Sequence, residues 1–279
     1  MNYSPRKMNE MLSKNDFNFK KKFGQNFIVD ENIIDNIVIK SNIDKDTMVL
    51  EIGPGAGSLT CKLASMSKQV LCYEIDKTLE NILNDTLKDF DNVKVIYEDF
   101  LEAKIYEELK KYNYDKLYVV ANLPYYITTP IIMKIIEDKL PVDKIVIMVQ
   151  KEVGNRFKAK PGTKEYNSLS IYLNYYYDVR KLMDVSRNVF LPKPNVDSIV
   201  VELERKKELL KVNEEIFFKL IKDSFKQKRK TLKNNLKDYN LEIIENVLNK
   251  HKFNLDVRAE QLSLEIYVEI ANELGGKNG

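Results

Sequence analysis

Residue types that many catalytic and metal sites depend on are scarce in this chain. Its 279 residues include no tryptophan, one histidine and two cysteines. Structural zinc sites take their ligands mostly from Cys and His, so this set cannot assemble one, and we expect no metal. A Ser-His-Asp mechanism would have to use His251, and nothing in the charged segment around it suggests that role.

Long apolar runs are missing as well. No stretch reaches the roughly 18 apolar residues of a membrane-spanning helix, and residues 1–22 hold no apolar stretch typical of a signal peptide. Cys61 and Cys72 lie in apolar surroundings, which favours buried reduced thiols over a disulfide. We therefore expect a cytoplasmic protein with no membrane association, and a monomer.

A strong excess of one charge is also absent, because 45 basic and 42 acidic residues leave a formal net charge of +3. Any nucleic-acid-binding surface must then be local. The segment 214–236 is predicted as one amphipathic helix, and the span 219–237 carries eight basic residues and one acid. Contact with an RNA backbone is the preferred interpretation. A membrane surface, a calmodulin-like partner or a plain solvated face stays open.

Five short apolar segments alternate with helical patterns between residues 48 and 150. Apolar runs of this length are typical of buried parallel strands. Their alternation with helices predicts an α/β fold, a doubly wound, Rossmann-like parallel sheet. From about Lys206 the pattern is helical to the end. We predict a first domain over 1–205, whose residues 1–18 form a mobile tail, and a small all-helical domain over 206–279.

A glycine-rich turn, Gly53-Pro54-Gly55-Ala56-Gly57, follows the first of these strands. Glycines there let the backbone approach a ligand closely. Glu74 ends the next strand, where a carboxylate can accept hydrogen bonds from ribose hydroxyls. The spacing Gly-x-Gly-x-Gly, with Glu51 two residues before it, looks like motif I of class I methyltransferases that bind S-adenosylmethionine. The dinucleotide fingerprint is Gly-x-Gly-x-x-Gly, and a NAD-type domain stays open at this point.

Two further strand ends carry polar residues. Asp99 follows the third strand and fits a hydrogen bond to an adenine amino group, or else a helix N-cap. The fourth strand ends in Asn122-Leu123-Pro124-Tyr125, where proline cannot continue the ladder. The side-chain oxygen of Asn122 and the Leu123 carbonyl would accept the hydrogens of an exocyclic amine and stabilise the charge that develops when the amine is methylated. Tyr125 would stack on the base. A turn that merely ends a strand is the alternative.

Three other segments have two interpretations each. Residues 20–28, with three lysines, two aromatic residues, a glycine and two amides, form either a lid over a ligand or a solvated tail that enters a helix. The basic segment 151–166 is predicted as a loop that either contacts phosphates or is plain surface. Phe190, held on a loop by nearby prolines, is either a core residue or the second aromatic face of a base pocket.

Together these segments resemble the rRNA adenine N6,N6-dimethyltransferases, most of all the bacterial enzymes that act on the small subunit. The segments that carry the resemblance are Lys22–Ile28, Glu51–Gly57, Tyr73–Asp76, Glu98–Phe100, Asn122–Tyr125, Pro161–Tyr166, Phe190–Pro194 with Val196–Ser198, and Lys228–Leu232. Ile28 stands where leucine is usual. We draw nothing from Tyr126, whose position varies in the family.

The resemblance implies S-adenosylmethionine as cofactor. It implies two adjacent adenosines in the 3′-terminal hairpin loop of small-subunit (16S) rRNA, within a maturing 30S particle, as substrate. The expected catalytic residues are Asn122, Leu123, Pro124, Tyr125 and Phe190. The expected cofactor-binding residues are Asn26, Ile28, Gly53, Gly55, Glu74, Asp99 and Asn122. The expected RNA-binding residues are Lys22, Lys151, Arg156, Lys158, Lys160, Lys226, Lys228, Arg229 and Lys230. Two alternatives remain, a large-subunit (23S) enzyme of the macrolide-resistance type and a ribosome-assembly factor that mainly binds RNA.

Overall fold

A computed structural model of the protein describes residues 5–20, 23–124 and 126–276. The chain divides into two compact units. The first comprises Met1–Gly154 and Arg180–Glu204, and the second comprises Asn155–Val179 and Arg205–Gly279. The sequence predicts a single boundary after residue 205, whereas the structure also assigns residues 155–179 to the helical unit.

The strands are β1 (Phe27–Ile28), β2 (Thr47–Ile52), β3 (Gln69–Tyr73), β4 (Val93–Ile96), β5 (Lys116–Asn122), β6 (Lys144–Gln150), β7 (Tyr177–Val185), β8 (Phe190–Leu191) and β9 (Ser198–Arg205). The helices are α1 (Pro5–Lys14), α2 (Glu31–Ser41), α3 (Ser58–Met66), α4 (Glu80–Leu87), α5 (Ile105–Leu109), α6 (Thr128–Glu137), α7 (Lys151–Phe157), α8 (Ser168–Tyr176), α9 (Glu214–Ser224), α10 (Leu232–Asn235), α11 (Leu241–Lys250) and α12 (Leu264–Gly276). No helix of the described ranges combines the length and the apolar character that a membrane crossing requires.

The first unit is built on a seven-stranded sheet with the strand order β4-β3-β2-β5-β6-β9-β7. Strands β2 to β6 pair in parallel, and β9 runs antiparallel to β6 with Val200 opposite Met148. All residues of β5 except the first and the last are buried, as expected when helices cover both faces of a sheet. The predicted doubly wound parallel sheet is therefore confirmed, and the two later strands extend it. Cys61 and Cys72 are buried and are not joined in a disulfide, as predicted.

The N-terminal segment departs from the sequence prediction. A mobile tail is predicted over residues 1–18, but helix α1 occupies Pro5–Lys14. Met8 and Leu12 are 1% and 4% exposed and pack in one apolar cluster with Ile82 and Leu83 of α4. Polar residues dominate this segment, so its order depends on burial against a distant helix, which local patterns do not report.

The predicted basic helix over 214–236 is also corrected. Helix α9 ends at Ser224, and a turn precedes the short α10. The side-chain amide of Asn235 donates to the carbonyls of Ser224 and Gln227, at 2.7 and 3.2 Å, and so holds the turn. A continuous helix would also place Lys226 and Lys230 one turn apart, where like charges repel. The segment 151–166, predicted as a loop, begins with helix α7.

The second unit has a core of its own. Helices α9, α11 and α12 bury Phe217, Ile244 and Tyr267, whose exposures are 0%. The phenolic hydroxyl of Tyr267 donates to the carbonyl of Ala259 at 3.0 Å, which satisfies the buried polar group. The prediction of a helical C-terminal region is confirmed.

Candidate active site

A cavity of about 320 Å³ opens at the carboxyl ends of the central strands. Gly53 directly follows β2, Glu74 directly follows β3, and Asn122 ends β5; all three line the cavity. Strand β2 pairs with β3 on one side and with β5 on the other, so the strand order reverses here. Such a switch point is where open α/β sheets bind their ligands. We therefore take this cavity as the candidate active site.

One wall of the cavity is formed by the turn between β2 and α3, whose glycines expose the backbone. Gly53 has a φ of +70°, and a Cβ built on it would meet no atom within 4 Å. Its N–H donates to the carbonyl of Tyr73 at 2.9 Å, which ties the turn to the end of β3. The open space in front of Gly53 leaves room for a ligand against the backbone. The predicted cofactor residues Gly53 and Gly55 both line this wall.

Glu74 is a buried carboxylate in the same wall, with 4% of its surface exposed. One oxygen accepts from the N–H of Gly55 at 3.2 Å, and the other accepts from the N–H of Asp76 at 2.8 Å. Burial raises the pKa of Glu74 to about 7, although these backbone hydrogen bonds favour the charged form. Ligand hydroxyls that donate to Glu74 would favour its ionised form further. The position suits the predicted contact with a ribose.

Glu51 is a second buried carboxyl group at the cavity, with 1% of its surface exposed. Burial raises its pKa to about 7, and the hydrogen bond that the Cys72 thiol donates to its Oε2 acts in the opposite direction. The sequence marks Glu51 only as the acid before the glycines and assigns it no role. A charged residue on the buried face of an otherwise apolar strand is the signal that points to it.

The far wall comes from the end of β4. Asp99 lines the cavity, and its Oδ1 accepts from the N–H of Leu101 at 2.9 Å. That bond is the turn-capping role that the alternative interpretation expects, and it does not exclude contact with a ligand. Phe100 packs edge-on against Tyr73, with 5.7 Å between the ring centroids, and both rings line the cavity.

Residues of the N-terminal segment close the cavity from the other side. Asn26 and Ile28 line it, as the resemblance implies. Strand β1 pairs antiparallel with β8, with Ile28 opposite Phe190. The side-chain amide of Asn26 donates to the carbonyl of Gly24 at 2.9 Å, which closes a turn just before β1. We call residues 23–28 the strap.

Asn122 is the polar side chain where the strap meets the sheet. Its Nδ2 donates to the backbone carbonyl of Asn26 at 2.8 Å. This bond uses the donor side of the amide and leaves Oδ1 as an acceptor. Leu123 and Pro124 also line the cavity, and the Pro124 carbonyl accepts from the N–H of Ile127 at 3.2 Å. Tyr125 lies outside the described residues, so its predicted stacking role stays a prediction.

Two aromatic residues differ from the expectations. Phe190 is 4% exposed, packs within the apolar core of the first unit, and is not among the cavity-lining residues. This is the core placement that the sequence left open, and its role against a base stays a prediction. Tyr126 lines the cavity and is 58% exposed, although nothing in the sequence singles it out beyond its place next to Asn122–Tyr125.

The predicted RNA-binding residues fall in both units. Lys151 belongs to the first unit, where its ammonium lies 3.7 Å from the carboxylate of Asp184. Lys22 lies outside the described residues. The others are exposed residues of the second unit: Arg156, Lys158, Lys160, Lys226, Lys228, Arg229 and Lys230. Their contact with RNA stays a prediction.

A doubly wound sheet with a glycine-rich turn and a carboxylate at its switch point is the framework of nucleoside-binding α/β folds, class I methyltransferases among them. A sequence model of the ribosomal RNA adenine dimethylase family matches residues 16–275, so the chain belongs to that family.

Known proteins of this kind resemble the chain over almost its whole length. Ribosomal RNA small subunit methyltransferase A of Staphylococcus aureus (strain bovine RF122 / ET3-1) is 48% identical over 280 residues, which cover 97% of this chain and 94% of that protein. The crystal structure of a dimethyladenosine transferase from Plasmodium falciparum superposes with a TM-score of 0.73 at 26% identity, over 90% of this chain and 98% of that one. The 23S rRNA methyltransferase ErmE superposes with a TM-score of 0.69 at 24% identity, over 89% and 99% of the two chains, which shows a shared fold.

Proposed function

We propose that this protein dimethylates N6 of two adjacent adenosines in the 3′-terminal hairpin loop of small-subunit rRNA, within an immature 30S particle. Membership of the ribosomal RNA adenine dimethylase family and the similarity to small-subunit enzymes of Staphylococcus aureus support the reaction and the substrate. The observation that carries the proposal is the orientation of the Asn122 amide. Its nitrogen is engaged by the Asn26 carbonyl, so its oxygen is left to accept from an amine.

We propose S-adenosylmethionine as the methyl donor. The cavity fits it by two features: open space against the Gly53 backbone, and a buried carboxylate, Glu74, on the neighbouring strand end. The residues that would hold it are Asn26, Ile28, Gly53, Gly55, Glu74, Asp99 and Asn122. When bound, it supplies a methyl group on a positively charged sulfur.

The chain's own residues would prepare the amine. An adenine N6 is a poor nucleophile because its lone pair is delocalised into the ring. Asn122 Oδ1 and the Leu123 carbonyl would accept its two hydrogens, favour a tetrahedral nitrogen and stabilise the charge that develops on it. Pro124 follows the end of β5, where it cannot extend the strand, and it would keep the Leu123 carbonyl at the cavity wall. The methylated product loses its proton easily, so no strong general base is required.

The base itself would be taken out of its loop and held by stacking. We propose Tyr125 as one face. Phe190 would serve as the second face only if its ring turned out of the core, where it is 4% exposed. The basic residues of both units would contact phosphates and position the particle without reading sequence.

The test is transfer of labelled methyl groups from S-adenosylmethionine to 30S subunits from a strain that lacks the modification. We expect N6,N6-dimethyladenosine in the small-subunit RNA. Label only in 23S rRNA would move the protein to the macrolide-resistance type. No label in either RNA would leave an assembly role based on RNA binding.

The variant Asn122→Ala tests the role of the acceptor. We expect kcat to fall on the order of a hundredfold to a thousandfold, as when one preorganised hydrogen-bonding group is removed from an active site. Calorimetric titration should show a much smaller change in cofactor affinity. Asn81→Ala, at an exposed position of α4, is the matched control and should keep wild-type turnover. Wild-type turnover in Asn122→Ala would refute the assignment of the amine's acceptor.

A further inference from the structure

Asp76 is a buried carboxylate that does not line the cavity and has no part in the proposed chemistry. It lies just after β3 and is 2% exposed. Its Oδ1 accepts from the Lys20 ammonium at 2.6 Å and from the Oγ1 and N–H of Thr78 at 2.7 and 3.1 Å. Its Oδ2 accepts from Nε2 of Gln25 at 2.8 Å. Both oxygens are therefore engaged, and two of the four donors come from the N-terminal segment.

The side chain of Gln25 is held at both ends. While its Nε2 donates to Asp76, its Oε1 accepts from the N–H of Lys20 at 2.8 Å. A flipped amide would place its oxygen against a carboxylate and its nitrogen against an N–H donor. The amide orientation is thus set, and with it the position of the strap backbone at Gln25.

The next residue in the chain is Asn26, whose carbonyl accepts from Nδ2 of Asn122. That carbonyl decides which end of the Asn122 amide faces the cavity. With the carbonyl in place, the flipped amide would bring two acceptor oxygens together. Without it, the two orientations become comparable, and one of them turns an NH₂ group towards an amine that also needs acceptors.

We infer that Asp76 and Gln25 are positioning residues for the methyl transfer, because they hold the Asn26 carbonyl where it orients the Asn122 amide as an acceptor. The inference rests on the proposed function in that Asn122 must act on an amine. It adds to that function a chain of hydrogen bonds from a buried carboxylate, through the strap, to the reacting group.

A residue that merely anchored the strap would also weaken folding or cofactor binding when replaced, so the test must separate the two roles. Asp76→Asn sets an amide NH₂ against the Nε2 donor of Gln25. Gln25→Glu sets a second carboxylate against Asp76. The double variant exchanges donor and acceptor at nearly unchanged volume, so the hydrogen bond re-forms in the opposite direction. Asparagine is as good a cap as aspartate for the N–H of Thr78, so that contact is retained.

We expect each single variant to lower kcat on 30S subunits on the order of tenfold to a hundredfold, the effect of losing one hydrogen bond to a charged group. The affinity for S-adenosylmethionine, measured by calorimetry, should change by less than about threefold, or about 0.7 kcal/mol. The double variant should recover most of the lost kcat. Asp85→Asn, at an exposed carboxylate that pairs only with Lys88 among the described residues, is the control and should match wild type.

A second readout does not depend on activity. The side-chain NH₂ resonances of Asn122, identified by their loss in Asn122→Ala, should exchange slowly with solvent in the wild type because of the bond to Asn26. They should exchange faster in both single variants and slowly again in the double variant. This pattern without methylation of 30S subunits by the wild type would uphold the inference on orientation and refute the proposed function.

If the wild type methylates 30S subunits, so that the proposed function holds, two results would still overturn the inference. One is unchanged kcat and unchanged amide exchange in the single variants. The other is a loss of cofactor affinity as large as the loss of kcat, with no recovery in the double variant, since that would make Asp76 and Gln25 an anchor alone.

Discussion

Alanine at Gly53 and alanine at Gly55 should affect the protein in different ways, although both glycines lie in the same turn. Both have a positive φ, +70° and +58°. Their surroundings differ. A Cβ on Gly53 would meet nothing within 4 Å, whereas a Cβ on Gly55 would lie 2.8 Å from Cε1 of Phe27. Gly53→Ala therefore adds a methyl group to the cavity, and Gly55→Ala adds one to packed protein.

The expected changes in the free energy of unfolding follow from this geometry. A residue with a Cβ costs about 1–2 kcal/mol in the left-handed region. Alanine recovers about 0.4–1 kcal/mol of this because it restricts the unfolded chain more than glycine does. Gly53→Ala should thus destabilise the protein by about 1 kcal/mol. Gly55→Ala must also displace the Phe27 ring, and overpacking of this kind costs about 1–3 kcal/mol, so its total should reach about 2–4 kcal/mol.

Gly53→Ala should affect cofactor affinity more than it affects stability. The Gly53 methyl group would occupy space that the proposed S-adenosylmethionine needs against the backbone. A steric cost of about 1–3 kcal/mol in the complex corresponds to a roughly fivefold to 150-fold loss of affinity. Gly53→Ala should therefore be a nearly stable protein that binds the cofactor poorly.

Urea denaturation and calorimetric titration with S-adenosylmethionine measure the two quantities on the same samples. Affinity within twofold of wild type in Gly53→Ala would refute the close approach of the cofactor to this turn. Equal stability of the two variants would show that the Phe27 ring moves aside for the extra methyl group at no cost in free energy, and would refute the predicted overpacking at Gly55.

Two further predictions concern pH and charge. Burial raises the pKa of Glu51 from 4.5 to about 7, so its contribution to stability is full below pH 4.5 and is lost as the pH rises through 7, by at most about 3 kcal/mol. In Glu51→Gln, the free energy of unfolding measured with urea should therefore decrease less between pH 5 and pH 8 than in the wild type. An equal decrease in both proteins would show that other groups, such as Glu74, cause it. Lys228→Ala and Arg229→Ala should each weaken 30S binding and lower the salt dependence of the binding constant by about one unit of slope. Lys88→Ala, at an exposed position of the first unit, is the control and should leave that slope unchanged. If Lys228→Ala or Arg229→Ala also left the slope unchanged, that residue would not contact RNA.

The parallel strands and the cavity were predictable because they depend on local signals. A strand that is buried on both faces must be apolar throughout, so the run in β5 is visible in the sequence. Parallel strands bring their carboxyl ends to one edge, so Gly53, Glu74 and Asn122 meet in one cavity wherever the intervening helices lie. The unusual glycine spacing and the proline after β5 mark these ends further.

Helix α1 and the end of α9 were not predictable in the same way. Met8 and Leu12 are buried against α4, about 70 residues later in the chain, and two apolar side chains in a polar segment give a weak pattern. At α9, the apolar stripe continues past Ser224, but the backbone turns because Asn235 caps it from beyond the turn. Phe190 is equally ambiguous, since a core and a base pocket both favour an aromatic side chain.

The orientation of the Asn122 amide could not be predicted from the segment Asn122–Tyr125 alone. The partner of its amide is a backbone carbonyl 96 positions earlier in the chain, and every residue type has such a carbonyl. No side chain at position 26 is therefore needed for this bond, and the asparagine there has a separate use in closing the turn with Gly24. What places the carbonyl is the pairing of Gln25 with Asp76, which lie 51 positions apart. The acceptor function of Asn122 thus depends on Gln25 and Asp76, to which the sequence assigns no role of their own. The exchange of Asp76 and Gln25 is the perturbation that reaches this function without altering Asn122–Tyr125.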